Sequence, residues 1–316
     1  MEIILRKEYS KFINYWLICL LFFIGLIVIV GGLTRLTDSG LSITTWDVVS
    51  GILPPITNSQ WIDAFNLYKE IPQFYLLNQS MTMDEFKVIY YWEYSHRILG
   101  RILGLLFLIP FMFIYFKKIF SKEYNLNFLN LFILILVQGT VGWYMVKSGL
   151  VENTTVSHYR LALHLNLAFI LFSAIFWYLL NIKSKQNKIF FAFNRKFIAT
   201  KIFILLVFLQ ITFGAFTSGL DAGKIYQTWP LMNNYFFPDD LNIKSILFSQ
   251  FFSEPSFVQF VHRKLAYIIF IYVLVMSFII FYKKDKQMYN SAYFLLLMIF
   301  IQVTLGIFTL LSGAYI

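Results

Sequence analysis

The sequence predicts an all-α integral membrane protein built as a tandem repeat of two four-helix bundles, with seven of the expected eight transmembrane helices present. Three observations predict it. Apolar residues make up 59% of the 316-residue chain and charged residues only 13%, at a mean hydropathy of +0.68, whereas soluble proteins are roughly a quarter charged. Seven apolar stretches are each long enough to cross a bilayer, which takes about 20 residues. Polar motifs also recur along the chain at fixed offsets, the mark of internal duplication.

The spans are expected near 12–33, 88–116, 124–147, 156–182, 198–219, 256–282 and 290–312. Basic residues gather on one side of them. Arg6, Lys7 and Lys11 precede the first span. Lys117, Lys118 and Lys122 separate the second and third. Lys183, Lys185, Lys188, Arg195, Lys196 and Lys201 lie between the fourth and fifth, and Lys283, Lys284 and Lys286 between the sixth and seventh. The opposite loops carry mainly Arg35, Lys69, Lys224 and Lys244. The positive-inside rule therefore puts the N-terminus in the cytoplasm. The net charge of +10 is accounted for by this topology and gives no reason to expect a nucleic-acid partner. One cysteine, Cys19, excludes an intrachain disulfide and a thiolate metal cluster.

Two outer loops, about 34–87 and 220–255, are copies of one another. Gly31, Asp38 and Trp46 pair with Gly214, Asp221 and Trp229, each 183 residues on. His96-Arg97 pairs with His262-Arg263 at an offset of 166, and Gln138, Thr140 and Gly142 pair with Gln302, Thr304 and Gly306 at an offset of 164. Corresponding spans run in the same direction, so the repeat is parallel, about an axis along the membrane normal. The first unit is expected over residues 1–190 and the second over 191–316. Within the first loop, Asp63 to Tyr75 has helical spacing and aromatics, and is expected to lie flat on the membrane. The repeat places a counterpart of His164 at position 328, so an eighth span carrying a histidine at the depth of His96, His164 and His262 is expected beyond Ile316.

The chain has only four histidines. His96, His164 and His262 each fall six to eight residues inside the outer ends of their spans, about 10 Å deep at 1.5 Å rise per residue. Ionisable and polar groups at membrane depth are costly and usually face the bundle interior or a bound group. Paired imidazoles from neighbouring helices are ligands for haem iron. Such a site also needs small residues where the flat ring lies, for which Gly100, Gly139 and Gly142 are candidates. It needs cations for the propionates, for which Arg97, Arg101 and Arg160 are candidates. Glu93 is one helical turn from His96, and in the second copy Gln259 replaces it. A carboxylate beside one histidine only is a candidate acid or base.

These motifs resemble the haem A synthase family of the alphaproteobacterial and mitochondrial type. The resemblance rests on Gly31-Gly32-Leu33-Thr34-Arg35-Leu36-Thr37-Asp38-Ser39-Gly40, Gly51-Ile52-Leu53-Pro54-Pro55, Glu93-Tyr94-Ser95-His96-Arg97-Ile98-Leu99-Gly100-Arg101, and the stretch from Gly142 to Leu150. Tyr159-Arg160-Leu161-Ala162 with His164, Asp221-Ala222-Gly223 and His262-Arg263 complete it. It implies eight transmembrane helices in two halves and oxidation of the C8 methyl of haem O to a formyl group, giving the haem A of cytochrome oxidase. It further implies that His96 and His164 hold the substrate haem, with Glu93 near the reacting edge. His262 and the eighth-helix histidine would hold a haem b cofactor that passes electrons. The enzyme that makes haem O, and further copies of the chain, are the protein partners this reading admits. The site of action is then a bacterial inner membrane, with the haem sites toward its outer face.

Three other readings compete. A bis-histidine b-type cytochrome acting only in electron transfer also needs the histidines, but has no use for the asymmetry of Glu93 and Gln259. A synthase lacking its eighth helix would be inactive in its second half. A transporter would place its broken helices at mid-membrane, whereas this polar layer lies in the outer leaflet.

Overall fold

The computed structural model describes residues 4, 6–46, 50–152, 154–184, 198–241 and 248–313. Among them the chain is helical, and it divides into two compact units, Met1–Ala192 and Phe193–Ile316. Seven helices are long and apolar enough to cross a membrane, so the protein is an all-α, multi-pass membrane protein.

In the first unit, α1 (Ser10–Leu36), α4 (Met83–Phe116), α5 (Lys122–Glu152) and α6 (His158–Ser184) form the bundle. α1 packs on α4 and α6, and α5 packs on α6 and α4, closing a ring. Its core is aromatic. Phe107 is fully buried among Trp16, Phe111, Phe128 and Phe132, with ring centroids 5.4 to 6.3 Å away. The Trp16 indole N–H, which lipid could not satisfy, donates to the Leu106 carbonyl at 2.8 Å.

Between the first and second spans lie α2 (Asn58–Lys69) and α3 (Pro72–Leu77). Each later start has a sequence cause. Thr57 and Gln60 form a capping box for α2, and Thr82 and Glu85 form one for α4. The second box starts α4 five residues before the expected span. Helix α5 likewise runs past the expected end, because Gly149 does not stop it. A Cβ there would lie 3.1 Å from Leu41 Cδ2, so this glycine permits close packing of the outer loop.

The expected single surface helix from Asp63 to Tyr75 is instead broken, since Pro72 starts a new helix. Nor is its aromatic face turned to the membrane. Trp61, Phe65 and Tyr68 are buried with Leu41, Ile71, Phe86, Ile89 and Tyr90. Their bulk is better covered by the first turns of α4 than by the interface. Tyr68 donates to Gln73 Oε1 at 3.0 Å, and Gln73 Nε2 donates to the Asp38 carbonyl at 3.0 Å. Burial raises the Tyr68 phenol pKa, which keeps it the neutral donor this chain of bonds requires.

In the second unit, α8 (Pro255–Tyr282) packs against both α7 (Ile198–Gly219) and α9 (Tyr289–Leu311). The duplication is visible in the backbone. Asp38 and Asp221, 183 apart, both take the left-handed conformation after their helices, at φ 50° and 51°. Lys118 and Lys284, 166 apart, do the same after α4 and α8, at φ 50° and 54°. Non-glycine residues rarely adopt this region, so two matched pairs are not coincidental.

Replacing the buried Phe107 by alanine is expected to cost at least about 2 kcal/mol, since lost packing remains a penalty inside a membrane. Leu105→Ala, on the exposed face, is expected to cost far less. Unfolding of the two variants in detergent checks the ranking.

Candidate functional site

The histidines of the first unit lie between two apolar clusters. Below them is the aromatic core formed by residues 13–24, 103–135 and 171–182. Above them is the loop cluster around Trp61 and Phe86. His96 and His164 face each other across the ring of helices, with ring centroids 6.4 Å apart at 66°. An imidazole nitrogen sits roughly 2 Å from a metal ion, so two rings on opposite sides of one iron have centres about 6 Å apart. The separation is thus one that a bis-histidine haem uses. His164 Nδ1 is buried with no hydrogen-bond partner among the described residues, a state that buried polar atoms avoid unless another ligand satisfies them.

Glycine packs behind each ring. A Cβ on Gly142 would lie 2.9 Å from His164 Cε1, and one on Gly31 would lie 2.9 Å from His96 Nε2. Gln138 Nε2 donates to the His164 carbonyl at 3.0 Å and lies 3.4 Å from its Nε2. Gly100 is different. It lies on the inward stripe of α4 between Glu93 and Phe107, yet a Cβ there would meet nothing within 4 Å. Gly104, one turn on, is equally open, so this stretch of α4 leaves the room that a ring lying against His96 requires.

Glu93 is 3% exposed. Its Oε2 accepts from Ser42 Oγ and the Ile43 N–H, both at 2.8 Å. Its Oε1 accepts from Arg97 Nε at 3.0 Å and Nη2 at 2.6 Å. Arg97 then donates to the carbonyls of Ile43 and Thr45 at 2.8 and 3.1 Å and lies 4.7 Å over the Trp46 ring. The pair therefore ties the outer loop to α4 beside His96. Arg101 is one turn further along α4 and partly buried. Arg160 bonds to the Ser148 hydroxyl and stacks 4.8 Å from the Tyr144 ring.

The second unit repeats the loop clamp with one change. Gln259, 2% exposed, donates to the Tyr226 carbonyl at 2.8 Å. Tyr226 is the counterpart of Ile43, so the bond runs in the opposite direction. Arg263 donates to the carbonyls of Thr228, Pro230 and Leu231 at 2.9, 3.2 and 3.1 Å, and Thr228 is the counterpart of Thr45. A Cβ on Gly214 would lie 3.2 Å from His262 Cε1, Gln210 Nε2 is 3.4 Å from His262 Nε2, and His262 Nδ1 is buried without a partner among the described residues. Outside the membrane span, burial and then the Asp239 and Asp240 carboxylates raise the pKa of Tyr226, whose hydroxyl lies 2.5 and 2.7 Å from them.

Sequence reasoning found the histidines, Glu93 and the arginines. It did not single out Gly31, Ser42 or the loop carbonyls. Gly31 was visible as one half of the pair with Gly214 and as the first residue of the Gly31–Gly40 motif, with no contact assigned to it. Its contact with His96 depends on how α1 crosses α4, which no local pattern states.

The cytochrome oxidase assembly protein family matches residues 14–316 of the chain. Similar proteins include the heme A synthase of Pelagibacter ubique, 47% identical over 98% of this chain and 90% of that protein. That of Parvibaculum lavamentivorans is 44% identical over 83% of this chain and 76% of that one. That of Rickettsia bellii is 40% identical over 96% and 90%. With the opposed histidines, the repeated loop clamps and this similarity along nearly the whole chain, the protein belongs to the haem A synthase family.

Proposed function

We propose that this chain is a haem A synthase that oxidises the C8 methyl of haem O to a formyl group, with haem O held between His96 and His164. The observation that carries the reading is the 6.4 Å spacing of those two rings, at a level where Gly100 leaves α4 open. Family membership supports the oxidoreductase role in haem A formation.

Each residue has a part. His96 and His164 hold the substrate iron, Gly31 and Gly142 let the rings stand close to the helices, and Gln138 fixes the turn that carries His164. Gly100 leaves room for the tetrapyrrole. Arg101 and Arg160 supply charge for the propionates, and Arg97 joins them as the anchor of the loop. Glu93 is the carboxylate beside the reacting edge, and through Arg97 and Ser42 it also positions the loop over the site. In the second unit, His262 and Gly214 fit one face of a haem b. Bound there, haem b would supply one-electron transfer.

The basic-residue pattern supports a cytoplasmic N-terminus in a bacterial inner membrane, with the histidine layer toward the outer face. Haem O is then received within the membrane, from the enzyme that makes it or from lipid. Self-association of the chain is compatible with this reading.

The decisive experiment expresses the protein in cells that accumulate haem O and lack their own synthase, then extracts the haems. Haem A or hydroxylated haem O is expected, and the reading fails if neither forms. Glu93→Gln is expected to keep the bis-histidine absorption spectrum and to lower turnover at least tenfold, while Ser42→Ala, which removes one loop bond, lowers it only a few-fold. Equal losses would make Glu93 a positioning residue alone. Gly142→Ala places a methyl against His164 and is expected to weaken haem O binding at least tenfold, read by spectral titration, without loss of the folded protein.

A further inference from the structure

Unit 1 carries a groove of about 320 Å³ lined by Trp46, Leu136, Gly139, Thr140 and Trp143. Its floor belongs to the stretch of α5 whose other residues, Gln138 and Gly142, touch His164. Its far wall, Trp46, is held under the guanidinium of Arg97, the residue after His96. The groove is therefore bounded by the immediate neighbours of both histidines. It opens at the surface of the unit, where Leu136, Gly139 and Thr140 are exposed. The lining is more apolar than polar. Thr140 Oγ1 is engaged with the Leu136 carbonyl at 3.0 Å, and the other lining side chains are tryptophan and leucine.

The duplication supplies an internal control. Trp46 has its counterpart in Trp229 and Thr140 in Thr304, but Leu136, Gly139 and Trp143 correspond to Phe300, Val303 and Ile307. A Cβ at Gly139 would meet nothing within 4 Å, so packing does not require glycine there. Helix stability disfavours glycine in mid-helix relative to alanine. A helical glycine with no packing reason, found in one copy and replaced by valine in the other, points to something that lies against it in the first unit only.

We propose that this groove is the subsite for the isoprenoid tail of the substrate haem. This rests on the reading of unit 1 as the haem O site. Haem O carries a hydroxyethylfarnesyl chain that haem b lacks, and a long, flexible, donor-free chain fits an apolar groove opening beside the ring. The second unit, read as the haem b site, has no tail to accommodate and carries the larger valine. Trp46 and Trp143 are the walls of the subsite, and Gly139 is its floor.

The test titrates the 316-residue chain in detergent with haem O and, separately, with haem B, followed by visible absorption. It is done in a His262→Ala background so that only the first unit reports. Haem O is expected to bind at least tenfold more tightly than haem B. Gly139→Val, which installs the residue of the second copy, is expected to weaken haem O at least fivefold and to leave haem B within twofold. Trp143→Ala, which removes a wall, is expected to shrink the same preference. Equal binding of the two haems before substitution, an equal loss of both in Gly139→Val, or an unchanged preference in both variants would overturn the subsite while leaving the histidine pair intact. Failure of either haem to give a bis-histidine spectrum would overturn the haem O reading and the subsite with it.

Discussion

A carboxylate within a membrane-spanning helix must find its compensation inside the protein, because lipid offers neither counterion nor water. Glu93 meets this constraint with Arg97, one turn along the same helix, and with two donors from the outer loop. The consequence reaches beyond the pair. Satisfying Glu93 forces residues 42–46 to lie against α4, and Arg97 fastens the same stretch through its carbonyls. The roof of the histidine layer is thus held by the charge that most needs burying.

The second unit shows what the constraint alone requires. There Gln259 is neutral, and it donates to the loop instead of accepting from it. The loop is still pinned, by Arg263 at the position equivalent to Arg97. A clamp can therefore be built without a carboxylate, and a buried ion pair is seldom a gain in stability over a neutral alternative. Keeping Glu93 in the first unit alone, where two histidines also oppose each other, separates chemistry from architecture.

The glycines carry a similar distinction. Gly31 and Gly142 are required by contact, since a Cβ would strike a histidine ring at 2.9 Å, and Gly214 lies nearly as close to His262. Gly100 and Gly139 meet nothing, so their reason lies outside the packing of the chain. The two kinds read identically in the sequence. Only the positions of neighbouring atoms tell them apart.

Much of this protein is legible in its sequence because a bilayer limits the choices. Backbone groups in lipid must be satisfied within the segment, so long apolar runs become helices, and seven such runs gave seven spans with ends displaced by a few residues. The fixed offsets revealed the duplication, and with it the histidine layer and the contrast of Glu93 with Gln259, since copied segments keep their order. What the sequence could not state is which atoms meet. That Glu93 accepts from the loop, that Arg97 is spent on carbonyls, that Phe65 and Tyr68 turn inward, and that Gly31 lies against His96 all depend on helix crossings and loop paths. Those are settled by long-range packing, where every polar group at membrane depth competes for the few partners the fold brings within reach.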